Sequence, residues 1–150
     1  MKSQILKFKD MPFEFQRSVL LDNVENSDIE WTDLGHVDWV KDTDKVQIWI
    51  DDFSNVHADT EFRFGIISIE DIIEKIMPCI TVDHQFDNFK EYHEWYQAGK
   101  NTDHGDSVFP IVLSEGVCFD GMSEYLIDGW HRFHSYVHKG LKKIPFVEYL

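Results

Sequence analysis

Five consecutive residues, Asp128-Gly129-Trp130-His131-Arg132, combine the parts of an anion site. A strand that ends in glycine and turns directly into a helix leaves several backbone N–H groups pointing outward. The helix dipole adds partial positive charge at the same place. Gly129 lets an anion approach the backbone with no Cβ in the way. Arg132 adds a planar fork that suits phosphate oxygens, and His131 adds a further donor. The chemistry these parts serve is phosphate binding. Asp128 repels an anion unless it holds a magnesium ion, in which case it supports the site. Trp130 reads two ways: as a ring that stacks on a base or covers the pocket, and as an apolar anchor against the preceding helix.

Other groupings carry less. His131, His134 and His138 recur at helical spacing, and the 134/138 pair could share a metal. One helix rarely completes a metal site, so a partly exposed polar helix face is the better reading. Asp51-Asp52 with His57 and Asp59 is acidic enough for magnesium or for activating a hydroxyl. It reads better as a solvated strand end. His104-Gly105-Asp106 falls in a polar loop before a strand and could face the pocket. Cys79 and Cys118 form no metal knuckle or redox motif, and buried reduced thiols are the default.

The elements that must position the five residues are clearest in the last third. Val108 to Leu113 is an apolar run with Pro110 near its start, a strand at an edge or strand beginning. Ser114 to Ser123 reads as a loop. Tyr125 to Ile127 is a short strand, Trp130 to Lys139 a helix closed by Gly140, and Ile144 to Tyr149 a final strand. Upstream, Ser68 and Asp71 resemble a capping box before Ile69, Ile72, Ile73 and Ile76, with Pro78 ending that helix. Phe86, Phe89, Tyr92, His93 and Tyr96 stripe a second helix over 86–98, with Gly99 as its cap. The first 65 residues are harder. Leu6/Phe8 and Phe13/Phe15 alternate with polar residues around Asp10-Met11-Pro12, which predicts a hairpin. Val46, Ile48 and Ile50 alternate as a strand does, and Phe62 and Phe64 suggest one more.

Length and composition bound the function. The 150 residues suit one domain able to bury a core without disulfides. The net charge of −14 is unevenly placed: residues 20–61 carry −10, whereas 130–150 carry +3. Such acidity opposes binding to duplex DNA and to anionic membranes. The acidic half reads as a solubilising surface or as a docking surface for a basic protein partner. No run of apolar residues approaches the length of a membrane span, and the start lacks an apolar signal region, so a soluble cytoplasmic protein is expected.

The motifs F109-P-I-V-L-S, Y125-L-I-D-G-W-H-R-F-H-S-Y and G140-L-K-K-I-P-F-V together resemble the sulfiredoxin/ParB-like family, in the form with an Asp-Gly-x-His-Arg turn. The similarity covers about 43 residues, does not reach residues 1–45, and places an isoleucine-rich helix upstream. The resemblance implies that Gly129, Trp130, His131 and Arg132 surround the phosphates of ATP or another nucleoside triphosphate, with Pro110 beginning the strand beneath. It implies Mg2+ held by Asp128, and Asp128 and His131 as the candidate catalytic residues of phosphoryl transfer or hydrolysis. Sulfiredoxin's reactive cysteine falls at Trp130 here, so sulfinic acid reduction is not implied. ParB's second arginine falls at His131, and no helix-turn-helix follows, so neither is plasmid partitioning.

The expected architecture is α+β: a small mixed sheet with about three helices, over 69–77, 86–98 and 130–139. Residues 1–65 form an acidic extension with strands, and 66–150 form the core of the same domain. The leading function is nucleotide phosphate binding. The rival is an acidic interaction protein, such as a phage- or plasmid-type inhibitor that uses the fold as a scaffold.

Overall fold

Alternation along the strands explains the architecture. In β5 (Lys143–Tyr149) Ile144 and Phe146 face one apolar cluster, and Val147 faces another. In β3 (Ile111–Ser114) Ile111 and Leu113 face the first cluster and Val112 the second. Strands apolar on both sides must be covered on both faces, and they are. The computed structural model describes residues 2–23, 41–80, 86–99, 109–114 and 125–150. Within these, five strands form one sheet in the order β1-β2-β5-β3-β4. β1 is Lys2–Lys7, β2 Glu61–Ser68 and β4 Leu126–Asp128. Pairing is antiparallel except between β3 and β5, so the sheet is mixed and the fold is α+β.

Five helices are present among the described residues, two more than the sequence predicts. α1 (Phe13–Asn23) and α2 (Thr43–His57) supply Val19, Leu20, Val46 and Ile50 to the cluster that also holds Phe8, Phe62 and Phe64. α3 (Ile69–Ile80) and α5 (Trp130–His138) cover the opposite face, and α4 (Phe89–Gly99) packs on α3 and α5.

The extra helices correct two expectations. Phe13 and Phe15 belong to α1 and not to a hairpin strand, and Val46 to Ile50 belongs to α2. Period-2 alternation misled in both places. Pro12, whose fixed φ suits a helix start, accepts the N–H groups of Phe15 and Gln16 through its carbonyl. In α2 the buried pair is Val46 and Ile50, at i and i+4, while Ile48 between them points outward.

The remaining elements follow the sequence closely. Ser68 Oγ accepts the Asp71 N–H at 3.1 Å, as a cap should. α3 continues two residues past Pro78, so the proline sits inside its last turn and does not end it. α4 begins at Phe89, behind Asn88, whose Oδ1 accepts the Glu91 N–H at 2.9 Å. β2 carries Gly65 where β1 crosses closely: a Cβ there would lie 2.0 Å from the Lys2 carbonyl oxygen. β1 and β2 share a sheet with β5, so residues before 66 build the same domain as those after. No helix of the described residues is long and apolar enough to cross a membrane.

Candidate functional site

Phe109 and Pro110 lead into β3, and two helices on opposite faces of the sheet hold them. From α5, the Tyr136 hydroxyl accepts the Phe109 N–H at 2.7 Å and donates to the Phe109 carbonyl at 2.9 Å. The Pro110 carbonyl accepts Ser18 Oγ of α1 and Arg132 Nη1 of α5, each at 3.0 Å. The guanidinium of Arg17, also on α1, lies over the Phe109 ring, 4.0 Å from its centroid. Burial holds the Arg17 guanidinium below its ordinary range, Glu14 opposes that shift, and the like charge of Arg132 adds to it. Two cations from opposite sides of the sheet therefore lie close enough to feel one another.

The turn into α5 forms as its sequence predicts. Gly129 takes φ +99°, a left-handed conformation, and its carbonyl accepts the Phe133 N–H at 2.7 Å. Glycine has no side chain with which to cap, so the first-turn amides of α5 face the helix end. The glycine has a second cause. A Cβ at position 129 would lie 3.0 and 3.1 Å from Arg132 atoms and 3.1 Å from Ile111 Cγ2. Gly129 thus makes room for the arginine beneath it as well as for the turn.

Arg132 is turned into the protein. Nη2 donates to Asp128 Oδ2 at 3.1 Å while Nη1 binds Pro110, and the side chain is 13% exposed. The arginine thereby neutralises the carboxylate that would have opposed an anion. It also ties the end of β4, the start of β3 and the first turn of α5 together. Trp130 is half-buried and leans on α4, with its ring 6.4 Å from Tyr92 and 6.3 Å from His134. That is the anchoring arrangement of the two considered. His131 is exposed beside Tyr96, their ring centroids 5.5 Å apart. Pro110 is buried beneath the corner.

The other candidates separate. His134 is buried, whereas His131 and His138 are exposed, so the three do not form one polar face. Asp51 and Asp52 are exposed on α2, a helix and not a strand end, and Asp59 pairs with Lys7 and Lys9 at 3.5 and 3.6 Å. His104-Gly105-Asp106 and Cys118 lie outside the described residues. No group of three His, Cys, Asp or Glu among the described residues could hold a metal ion.

Sequence reasoning did not find Arg17, Ser18 or Tyr136. The first two were hidden by the strand reading of residues 13–16. Tyr136 offered one usable signal: it falls one turn beyond Arg132, on the same side of the helix. Set against family models, curated proteins and solved structures, the chain matches none.

Proposed function

We propose that the corner at the start of α5 binds the phosphates of a nucleotide, as the resemblance to the sulfiredoxin/ParB-like family implies. One observation carries the reading: the largely buried Arg17 of α1, over the Phe109 ring, and Arg132 of α5, on the Pro110 carbonyl, reach the same two-residue segment from opposite faces, and α5 opens on a left-handed glycine. In this reading the amides of Trp130, His131 and Arg132 meet the phosphate oxygens. Arg17 supplies charge, and the exposed His131 donates a hydrogen bond. Arg132 positions the corner from within. It does not chelate phosphate while it holds Asp128 and Pro110.

The residues fit an anion better than a bare metal ion. Asp128 Oδ2 already accepts from Arg132, and no partner ligands accompany it among the described residues. Magnesium would therefore arrive bound to the phosphates and not to Asp128. With Asp128 paired to an arginine, binding is better supported than phosphoryl transfer. The reading takes the protein to be cytoplasmic, where nucleoside triphosphates are abundant.

The test is a thermal-shift panel with ATP, CTP and ADP, each with and without magnesium. A nucleotide at a hundredfold excess over its Kd should stabilise the protein by about 2.7 kcal/mol. Arg17→Gln should weaken the shift while leaving the grip of Arg132 intact. If no nucleotide moves the Tm, the reading fails.

A second reading rests on α2. Ile48 is 60% exposed at the centre of its outward face, with Asp44, Asp51 and Asp52 around it. Among the described residues none of those three carboxylates is ion-paired. An apolar side chain ringed by carboxylates suits a basic, amphipathic segment of a partner protein. Salt-sensitive capture of such a peptide, lost in Ile48→Ser and in Asp44→Asn with Asp52→Asn, would favour an acidic inhibitor.

A further inference from the structure

A second polar contact of α5 lies in its middle, against α4. His134 is 0% exposed, and its Nδ1 is 2.7 Å from Nδ1 of His93 on α4. Two rings that close share one proton, so both cannot be charged. His134 Nε2 has no hydrogen-bond partner among the described residues. An orphaned N–H is harder to bury than an orphaned lone pair. His134 is therefore the neutral tautomer with its proton on Nδ1, donating to His93 and leaving Nε2 bare.

The contact also lies at the centre of the α4–α5 interface, beside the packing of Phe89 and Tyr92 on the core. Of residues 89–98, Tyr96 alone is buried, and its ring stacks on His134 with centroids 3.8 Å apart. The Phe89 ring lies near-parallel to the same imidazole with centroids 6.1 Å apart, and the His93 ring meets it edge to edge at 5.0 Å. Aromatic faces would welcome a cation. The neighbouring histidines would not. His131 and His138 stand on the same helix, and His93, Tyr92 and Tyr96 face it from α4. Among the described residues Glu94, next to His93, is the carboxylate that acts on this pair, and it acts on His93.

We propose that the α4–α5 contact is an acid-labile joint: protonation of the His93–His134 pair releases α4 from the rest of the domain while the sheet stays folded. The shared proton is the lock. One added proton makes one ring of the pair positive, and a second makes both positive, edge to edge and 2.7 Å apart at their nitrogens, with no carboxylate at the buried one among the described residues. Burial, then His93 and His131, push His134 down to about 3, and burial and then His138 lower His93. Acid can therefore charge the pair readily only after the helices part. The open fraction should rise about tenfold per pH unit below pH 6.5 for each proton taken up.

The experiment is hydrogen exchange of the backbone amides, followed by NMR from pH 7.5 to 4 and corrected for intrinsic rate, with the His134 ring titrated in the same samples. Protection over Tyr92–Ala98 should fall about tenfold per pH unit per proton, while amides of β2 and β5 keep theirs. His134→Phe, which retains a ring for Tyr96, should make α4 protection independent of pH. Three results would overturn the joint. One is unchanged α4 protection at pH 4. Another is loss of α4 and β5 together, which would mean global unfolding. The third is a His134 ring that protonates near pH 6.5 with α4 still closed, a readout that stands even if the variant does not fold.

Discussion

Helix α5 makes two buried polar contacts, and they are built on opposite principles. Toward the Phe109-Pro110 segment, Arg132 and Tyr136 meet complementary groups: a carboxylate, two carbonyls and one N–H, all at 2.7 to 3.1 Å. In its middle, His134 meets another histidine and leaves a nitrogen bare. The first arrangement stays satisfied whatever the solvent does near neutrality. The second is satisfied only while one proton is shared. A fully paired charge fixes geometry, and a half-paired imidazole makes the contact conditional.

The sharpest way to break the N-terminal grip is Arg132→Ala. It leaves Asp128 and the Pro110 carbonyl without their donor, and the loss should be about 3 kcal/mol by urea denaturation. Arg132→Lys should recover little, since one ammonium cannot reach both partners in the geometry of the fork. A loss below about 1 kcal/mol would mean the corner is held by other contacts.

Acid acts on the other contact. Above pH 6.5 His134 is neutral in both folded and unfolded chains and contributes no pH dependence. As the pH falls below 6.5 the unfolded chain takes up a proton that the folded one refuses down to about pH 3. Stability should therefore decline by up to about 1.4 kcal/mol per pH unit in that window. The difference between wild type and His134→Phe should accordingly widen from pH 7 to pH 4.5. Parallel curves would place the acid sensitivity elsewhere.

Tyr136→Phe tests the grip more gently. Removing the hydroxyl strands the Phe109 N–H and carbonyl and should cost about 1–2 kcal/mol. The smallest effect sharpens the comparison most. Ser18 and His93 serve the two contacts from opposite faces of the sheet and share no partner. Ser18→Ala and His93→Gln should therefore be additive to within about 0.5 kcal/mol in a double-mutant cycle. A larger coupling would mean that α5 transmits strain between them.

Legibility differed along the chain for a physical reason. From Ser68 onward each element announces itself: the cap at Ser68, the isoleucine stripe of α3, the aromatic stripe of α4, the Gly129 turn. Each is a local interaction between residues a few positions apart. In α1 and α2 the local pattern was ambiguous, because Phe13/Phe15 and Val46/Ile48/Ile50 fit a strand period as well as a helix. Tertiary burial of Val19, Leu20, Val46 and Ile50 settled them as helices. Arg132 was legible as the charged residue of the turn, but not its direction, since Asp128 is local and the Pro110 carbonyl is not.

By itself the sequence determined the α+β class, the strands and helices of the last third, and the turn at Gly129. Periodicity, caps and glycine chemistry act within a few residues and need no fold to be read. Only the tertiary structure decided what the turn's arginine holds, which arginine joins it from α1, and which histidine loses its water. Those outcomes depend on residues 22, 41 and 115 positions apart in the chain. Only packing around one sheet brings them within reach of a hydrogen bond or of a neighbouring charge.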